Sequence, residues 1–335
     1  MTPFCIHVIL GNMDKRLLSR IDKLLTKLND NRPLKSSVVD KLREQFLIEM
    51  TYNSNAIEGN KLSLKETYLV LREGITVKGK NLKDHLEAKN HEEALKYLFE
   101  LVDSKKRISI SNSLIRELHQ LVVKDTENQI AGVYRKTNVA ILGSTHKPVP
   151  GFRVQEEMNK FVQWVPNGMA KLHPIEFAAK LHHRFVHIHP FEDGNGRTGR
   201  LLMNLFLMRQ GYPIAIILKS DRVKYYKALE KADKDDFESL IRLIAQAVER
   251  SLNVYIQAIE STSNEGEFLP LSKIATKTTY SAKYLNLLIN KGLLAGKKEG
   301  RNWLTSMKDI KDYEETRLRI RKPRKKVRKS KEKLR

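Results

Sequence analysis

A chain of 335 residues, 41% of them hydrophobic, has room for one large domain with a packed core and one or two small ones. No apolar run reaches the roughly 18 residues of a membrane span, and the apolar stretch Phe4–Leu10 lacks the basic start and small-residue cleavage site of a signal peptide. The single cysteine, Cys5, rules out an internal disulfide and a cysteine metal site, so a reducing cytoplasm is the expected location.

The apolar residues recur with a period near 3.6, which predicts a mainly α fold. Leu17, Ile21, Leu24, Leu25 and Leu28 line a first helix, broken at Asn31-Arg32-Pro33. Val38, Val39, Leu42, Phe46, Leu47 and Met50 mark a second helix, closing at Gly59-Asn60. Further helices are expected over Leu64–Arg72, Leu82–Val102, Ser113–Val123 and Gln155–Val165. Residues 1–110 form an N-terminal helical region on this reading, and 111–260 a core.

Between Ala131 and Phe152 the pattern changes. Val139, Ile141 and Val149 flank the turn-rich Gly143–Pro148, which predicts a small β-hairpin on the helical body. Pro174 then opens a helix whose buried stripe is Phe177, Ala178, Leu181, Phe185 and Ile188. A Gly-rich loop follows, then a helix through Leu201, Leu202, Leu205 and Phe206 ending near Gly211, and a long helix over Phe237–Glu260.

The polar stretch Ser261–Glu267 reads as a linker. Residues 267–316 suit a small winged helix-turn-helix: short helices at Leu271–Ala275 and Ser281–Lys291, then a two-stranded wing over Lys297–Thr305 turning at Glu299-Gly300-Arg301. The net charge of +23 is concentrated at the end, where Arg317–Arg335 holds twelve Lys or Arg and one Glu. Like charges at that density predict a disordered tail, 317–335. With the winged unit it would suit DNA or an acidic partner through counterion release.

The chemistry lies in His189-Pro190-Phe191-Glu192-Asp193-Gly194-Asn195-Gly196-Arg197-Thr198-Gly199-Arg200. A histidine able to take a proton near neutral pH ends one helix, and a Gly-rich loop opens the next. The unpaired N–H groups of a helix start favour anions, and glycines let a phosphate approach the backbone. Arg197 and Arg200 share a helix face and can fork onto phosphate oxygens, and Asp193 is a hard oxygen ligand suited to Mg²⁺. Together these are the parts for attack on a nucleotide phosphate. The crowding of His182, His183, His187 and His189 also suggests zinc, but no Glu follows His183 as in His-Glu-x-x-His, and Arg184 stands there instead. His182, His183 and His187 are therefore expected to pack or to support the site from behind.

These twelve residues resemble the signature of the Fic domain proteins, His-Pro-Phe-x-Asp/Glu-Gly-Asn-Gly-Arg-x-x-Arg, at every fixed position. The resemblance covers most of residues 36–250, including Gly132-x-Tyr134-Arg135. It implies a Fic-type helical bundle with the hairpin as a flap, and transfer of AMP from ATP to a Ser, Thr or Tyr hydroxyl of a target protein. His189 would be the general base and Asp193 the Mg²⁺ ligand. Asn195 and the backbone at Gly194 and Gly196 would form the anion hole, with Arg197 on the β-phosphate and Arg200 on the γ-phosphate. The flap near Val139–Val149 would pair with the target as an added strand. Tyr225, Tyr226, Leu229 and Asp233 match positions around the adenine. Gly196 resembles the AMP-transferring members, whereas Lys at that place marks members that transfer the γ-phosphate.

Ser54-Asn55-Ala56-Ile57-Glu58-Gly59 resembles the family's inhibitory motif, Ser/Thr-x-x-x-Glu-Gly/Asn. A Glu58 paired with Arg200 would deny that arginine to the γ-phosphate. The resemblance also admits two alternatives: removal of AMP by a water that Glu58 positions, and a DNA-binding regulator acting through the winged unit. A homodimer is a further expected association.

Overall fold

Local chemistry sets several helix starts in the computed structural model, which describes residues 12–104, 109–141, 144, 146–169, 172–265 and 268–321. The stretch Phe4–Leu10 with Cys5, Gly143 and Thr145 of the flap, and the basic tail from residue 322 lie outside the described residues. The chain divides into two units, the first running to Ile256 and the second starting at Gln257.

The first unit contains α1 (Asn12–Asp30), α2 (Ser36–Ile57), α3 (Leu64–Arg72), α4 (Leu82–Asp103) and α5 (Asn112–Val123). It continues with α6 (Val154–Met169), α7 (Pro174–Ile188), α8 (Asn195–Arg209), α9 (Arg222–Ala232) and most of α10 (Glu238–Glu265). A capping box starts α3: Ser63 Oγ accepts from the Glu66 N–H, and the Glu66 carboxylate accepts from the Ser63 N–H. Pro174 stands at the first turn of α7 and His173 caps it. Helix α6 passes through Pro166, beyond the expected end at Val165; its Trp164 stacks on Phe177 of α7, ring centroids 5.1 Å apart.

Helices α7 and α8 form the central pair, with α2, α4 and α5 packed around α8. Every residue of α8 from Arg197 to Leu207 is buried, so this helix is core on all sides. The boundary expected at residue 110 is therefore not a division between units: α2 and α4, on one side of it, pack directly on α8 on the other.

The flap departs from the expected hairpin. Its described residues form no strand ladder. Instead the buried Arg135 guanidinium ties its two arms, donating to the carbonyls of Thr137 and Val149 at 2.7 Å each. Pro148 and Pro150 remove two N–H groups that a ladder would need. Helix α10 also overruns the expected linker, continuing to Glu265.

The second unit runs β1 (Leu269–Pro270), α11 (Leu271–Ala275), α12 (Ala282–Asn290), β2 (Lys297–Glu299), β3 (Asn302–Thr305) and α13 (Met307–Arg321). The two short helices and the two-stranded turn fall where the sequence predicts them, with Lys297 opposite Leu304 and Glu299 opposite Asn302. Two elements are additional. Strand β1 pairs antiparallel with β3, giving the order β1-β3-β2, and α13 carries residues 317–321 of the expected disordered tail as helix. Leu271, Ile274, Leu285, Leu288, Ile289, Leu294 and Ile310 form this unit's own core. Among the described residues, no helix is long and apolar enough to cross a membrane.

Candidate active site

The site is built where α7 ends and α8 begins. His189 closes α7 in the left-handed region, φ 54°, and Gly194 precedes α8 at φ 76°. A Cβ at Gly194 would lie 2.9 Å from Val123 Cγ1, so both backbone and space require glycine there. Three groups lock the intervening loop. The Asn195 side chain accepts from the Phe191 N–H at 2.9 Å and donates to the Phe191 carbonyl at 2.8 Å. His119 stacks on Phe191, ring centroids 3.6 Å apart; its Nδ1 accepts from Gly132 N–H, which leaves Nε2–H to donate to the Asp193 carbonyl. Burial holds His119 neutral, its pKa down at about 4. Arg135 donates through Nε to the His189 carbonyl at 2.7 Å, and its own N–H bonds the Pro190 carbonyl.

Within this frame His189 Nδ1 lies 3.2 Å from the Val186 carbonyl. A proton on Nδ1 makes that bond and leaves Nε2 with a free lone pair. Burial depresses the His189 pKa; the Val186 carbonyl opposes this and the Arg135 charge adds to it. The imidazole is therefore held in the form that accepts a proton.

Asp193 uses Oδ1 to accept from the Gly194 N–H at 2.6 Å, and Oδ2 faces Arg197 at 3.2 Å. Burial pushes its pKa up, but Arg197 and the Gly194 N–H outweigh it, and the net shift is downward. A half-exposed carboxylate kept ionised beside an open helix N-terminus suits a hard cation such as Mg²⁺. Asn195 differs from expectation: its amide is engaged within the loop, so it offers the helix opening only its backbone N–H.

Arg197 and Arg200 are almost fully buried. Arg197 lies 3.2 Å from both Asp193 and Glu87, and its Nε has no hydrogen-bond partner. Arg200 donates from Nε to Ser54 Oγ at 2.9 Å, and from one terminal nitrogen to the Ser54 carbonyl and Glu58 Oε1, both at 2.8 Å. Its other terminal nitrogen, NH1, is buried without a partner. Burial works against this charge, but Glu58, with Tyr225 and Tyr226, outweighs it and the pKa is raised. The expected pairing of Glu58 with Arg200 is thus present, through a single carboxylate oxygen. That oxygen lies over the first turn of α8: a Cβ on Gly196 would sit 2.0 Å from it.

Of the residues expected around adenine, Tyr225 is core. It is fully buried, its hydroxyl meets His182 Nε2 at 2.8 Å, and its ring lies 5.9 Å from the Arg200 guanidinium. Tyr226 and Leu229 are half-buried, and Tyr226 Oη donates to the Ile57 carbonyl at 3.4 Å, next to Glu58. Asp233 instead binds His183 and His187, each at 2.9 Å. Sequence reasoning missed the roles of His119 and Arg135. The only linear trace of Arg135 was its place in Gly132-x-Tyr134-Arg135, and His119 had none.

A bundle built on two central helices gathers a base, an ionised carboxylate and two buried guanidiniums at one helix start, an arrangement suited to a phosphate group. The Fic/DOC family model matches residues 109–207. Two solved structures resemble most of the chain: Fic-1 (residues 134–508) from C. elegans, 32% identical with a TM-score of 0.68 over 75% of this chain and 74% of that one, and a Fic-domain-containing signaling protein from Bacteroides thetaiotaomicron, 30% identical with a TM-score of 0.67 over 73% and 97%. The chain belongs to the Fic/DOC family. Among sequence relatives, the protein adenylyltransferase Fic of Nematostella vectensis is 38% identical over 73% of this chain and 56% of its own length, and that of Culex quinquefasciatus 36% identical over 76% and 51%. The chain thus spans about half the length of these relatives.

Proposed function

We propose that this chain transfers AMP from ATP to a hydroxyl of a protein target, restrained by Glu58. The observation that carries the reading is one loop that presents an unprotonated His189 Nε2 beside the open N-terminus of α8, with unpaired N–H groups on two buried arginines. His189 takes the proton of the target hydroxyl, and the oxygen attacks the α-phosphorus. The bond from that phosphorus to the bridging oxygen breaks and pyrophosphate leaves. The N–H groups of Asn195 and Gly196, with Arg197 and Arg200, hold the phosphate oxygens. Asp193 would hold Mg²⁺, which when bound neutralises charge on the leaving pyrophosphate.

Glu58 occupies the far end of this anion site. With its carboxylate on Arg200 and over Gly196, a phosphate at that place meets a negative charge instead of a free cation. Target recognition falls to the flap, whose Val139–Ala140 arm pairs with no strand among the described residues and suits an added one. In the second unit, exposed Lys283 and Lys291 at α12 and Lys298 and Arg301 in the wing support binding to DNA or another polyanion. The single cysteine supports a reducing, cytoplasmic setting.

The test is incubation of the purified chain and candidate proteins with ATP labelled at the α-phosphate. Covalent label that requires Mg²⁺ and disappears in His189→Ala is the expected result. Label from γ-labelled ATP only, or undiminished label in the variant, would overturn the assignment.

A further inference from the structure

The histidines outside the catalytic loop are arranged more specifically than packing requires. His146 of the flap, His187 near the end of α7 and Asp233 at the end of α9 each bring a ligand atom within 4.8 Å of the others. The three come from separate segments, so the cluster has no signature in the linear sequence. His146 and His187 are half-buried and Asp233 is exposed, which leaves a side open to solvent.

The hydrogen bonds around the cluster fix which ring nitrogens carry a proton. His146 Nε2 lies 2.7 Å from the His187 carbonyl, which can only accept. Its proton is therefore on Nε2, and Nδ1 carries a free lone pair. A ligating histidine is commonly held in this way, its second nitrogen donating to a backbone carbonyl. Asp233 is steadied by His183, whose Nε2 lies 2.9 Å from Oδ1. The same oxygen lies 2.9 Å from His187 Nδ1, with a proton between them. In a tetrahedral zinc site the nitrogen and oxygen would stand about 3.3–3.4 Å apart, from metal–ligand distances of about 2.0–2.2 Å. Replacing that proton by a metal ion needs a widening of only a few tenths of an ångström. The rings of His146 and His187 are already together, centroids 3.9 Å apart.

We propose that His146, His187 and Asp233 form a site for a zinc-class divalent cation, clamping the flap to the ends of α7 and α9, with His183 holding the Asp233 carboxylate. Two imidazoles and one carboxylate select borderline ions such as Zn²⁺ or Co²⁺ over Mg²⁺, which prefers all-oxygen sites. The site is separate from the cation that Asp193 would hold, and it stands or falls independently of AMP transfer. Its consequence is mechanical. The flap already meets the α7 end and the loop after it through Arg135 on the His189 carbonyl, Thr137 on Glu192 and His146 on the His187 carbonyl, and a metal at His146 would reinforce the last of these.

The experiment uses the full, tag-free chain, titrated with Co²⁺ alone in excess Mg²⁺ and followed by its visible absorption. One equivalent is expected to give d–d bands of a four- or five-coordinate ion, displaced by Zn²⁺ and not by Mg²⁺. His146→Ala lies in a surface flap outside the helical core and should weaken binding at least tenfold, as should His187→Gln and Asp233→Asn; circular dichroism verifies the fold of each. His183→Gln should weaken it less, since the ligands remain. Amide exchange in the Thr137–Val149 flap should slow on adding Zn²⁺ to wild type and not to His146→Ala. Featureless spectra on titration, or Co²⁺ binding unchanged in the folded His146→Ala and His187→Gln variants, would overturn the proposal.

Discussion

Replacing Glu58 by glycine removes one carboxylate from the α8 N-terminus and leaves the rest of the site in place. Arg200 keeps its bonds to Ser54 Oγ and the Ser54 carbonyl, so the guanidinium stays positioned when its charge partner goes. What is lost is a single charge-assisted hydrogen bond of 2.8 Å to a side chain 32% exposed. Such a bond contributes about 1.5–3 kcal/mol. If a phosphate oxygen takes its place, productive ATP binding gains at most that amount, a factor of roughly 10 to 150 in transfer rate. Clearing the oxygen that lies over Gly196 acts in the same direction, because a small misplacement of the reacting phosphate costs on the order of 10²-fold. The assay is incorporation of label from α-labelled ATP, self-modification included, by wild type, Glu58→Gly and Glu58→Gly/Arg200→Ala. The single variant should exceed wild type by one to two orders of magnitude, and the double variant should lose the gain. Equal labelling in wild type and Glu58→Gly would show that the contact is structural only. A gain retained in the double variant would show that Arg200 is not the released group.

His189→Ala should reduce transfer by about 10²–10⁴-fold while the thermal unfolding midpoint changes little. Because burial lowers the His189 pKa, kcat/KM in wild type should stay level through neutrality and fall tenfold per pH unit only below the ordinary histidine value of about 6.5; a fall beginning above pH 7 would argue against His189 as the base. Asp193→Ala should lower activity and raise the Mg²⁺ concentration needed for half-maximal rate, and full activity in the presence of chelator would exclude it as the ligand. Arg135→Ala removes the buried guanidinium that donates to the carbonyls of His189, Thr137 and Val149, and should lower stability by about 1–3 kcal/mol in denaturant titration. Acid should destabilise the fold through the neutral histidines His91, His119 and His182, whose pKa values lie at about 3, 4 and 3. The unfolded chain binds protons on them first, so stability is lost as pH falls below about 6.5, by about 1.4 kcal/mol per pH unit for each of them.

What the sequence made legible was periodic or contiguous. The α3 start follows from the Ser63–Glu66 box, the α7 start from Pro174, and the β2–β3 turn from Gly300 between two short strands. The chemical loop was legible because its parts occupy twelve consecutive residues. The Glu58–Arg200 contact bridges 142 positions and came from a motif resemblance rather than from periodicity. Contacts made by a single side chain reaching across the fold had no such trace. Arg135 replaces the flap ladder by donating to carbonyls on both arms, which alternation of apolar residues cannot reveal. Tyr225 matches an adenine position by resemblance, yet burial and His182 make it part of the core behind Arg200. Helix α13 was missed because its basic end resembles a disordered tail, while Ile310, packed in the second core, decides otherwise.

The machinery and its restraint belong to different elements, and this determines how the restraint can be released. The α7–α8 loop is fixed by Asn195, His119 and Arg135, none of which touches Glu58 through a hydrogen bond. Glu58 caps α2, whose last turn is held independently: Arg222 Nε and Tyr226 Oη from α9 both donate to the Ile57 carbonyl, and Asn60 donates to the Asp84 carbonyl. Melting that turn would break all of these bonds. Rotating the Glu58 side chain breaks one, and the carboxylate is already partly in water. The low-energy route to an open anion site is therefore a side-chain movement at an intact helix end. A partner or ligand that favours the rotated carboxylate has only one charge-assisted hydrogen bond to overcome, about 1.5–3 kcal/mol.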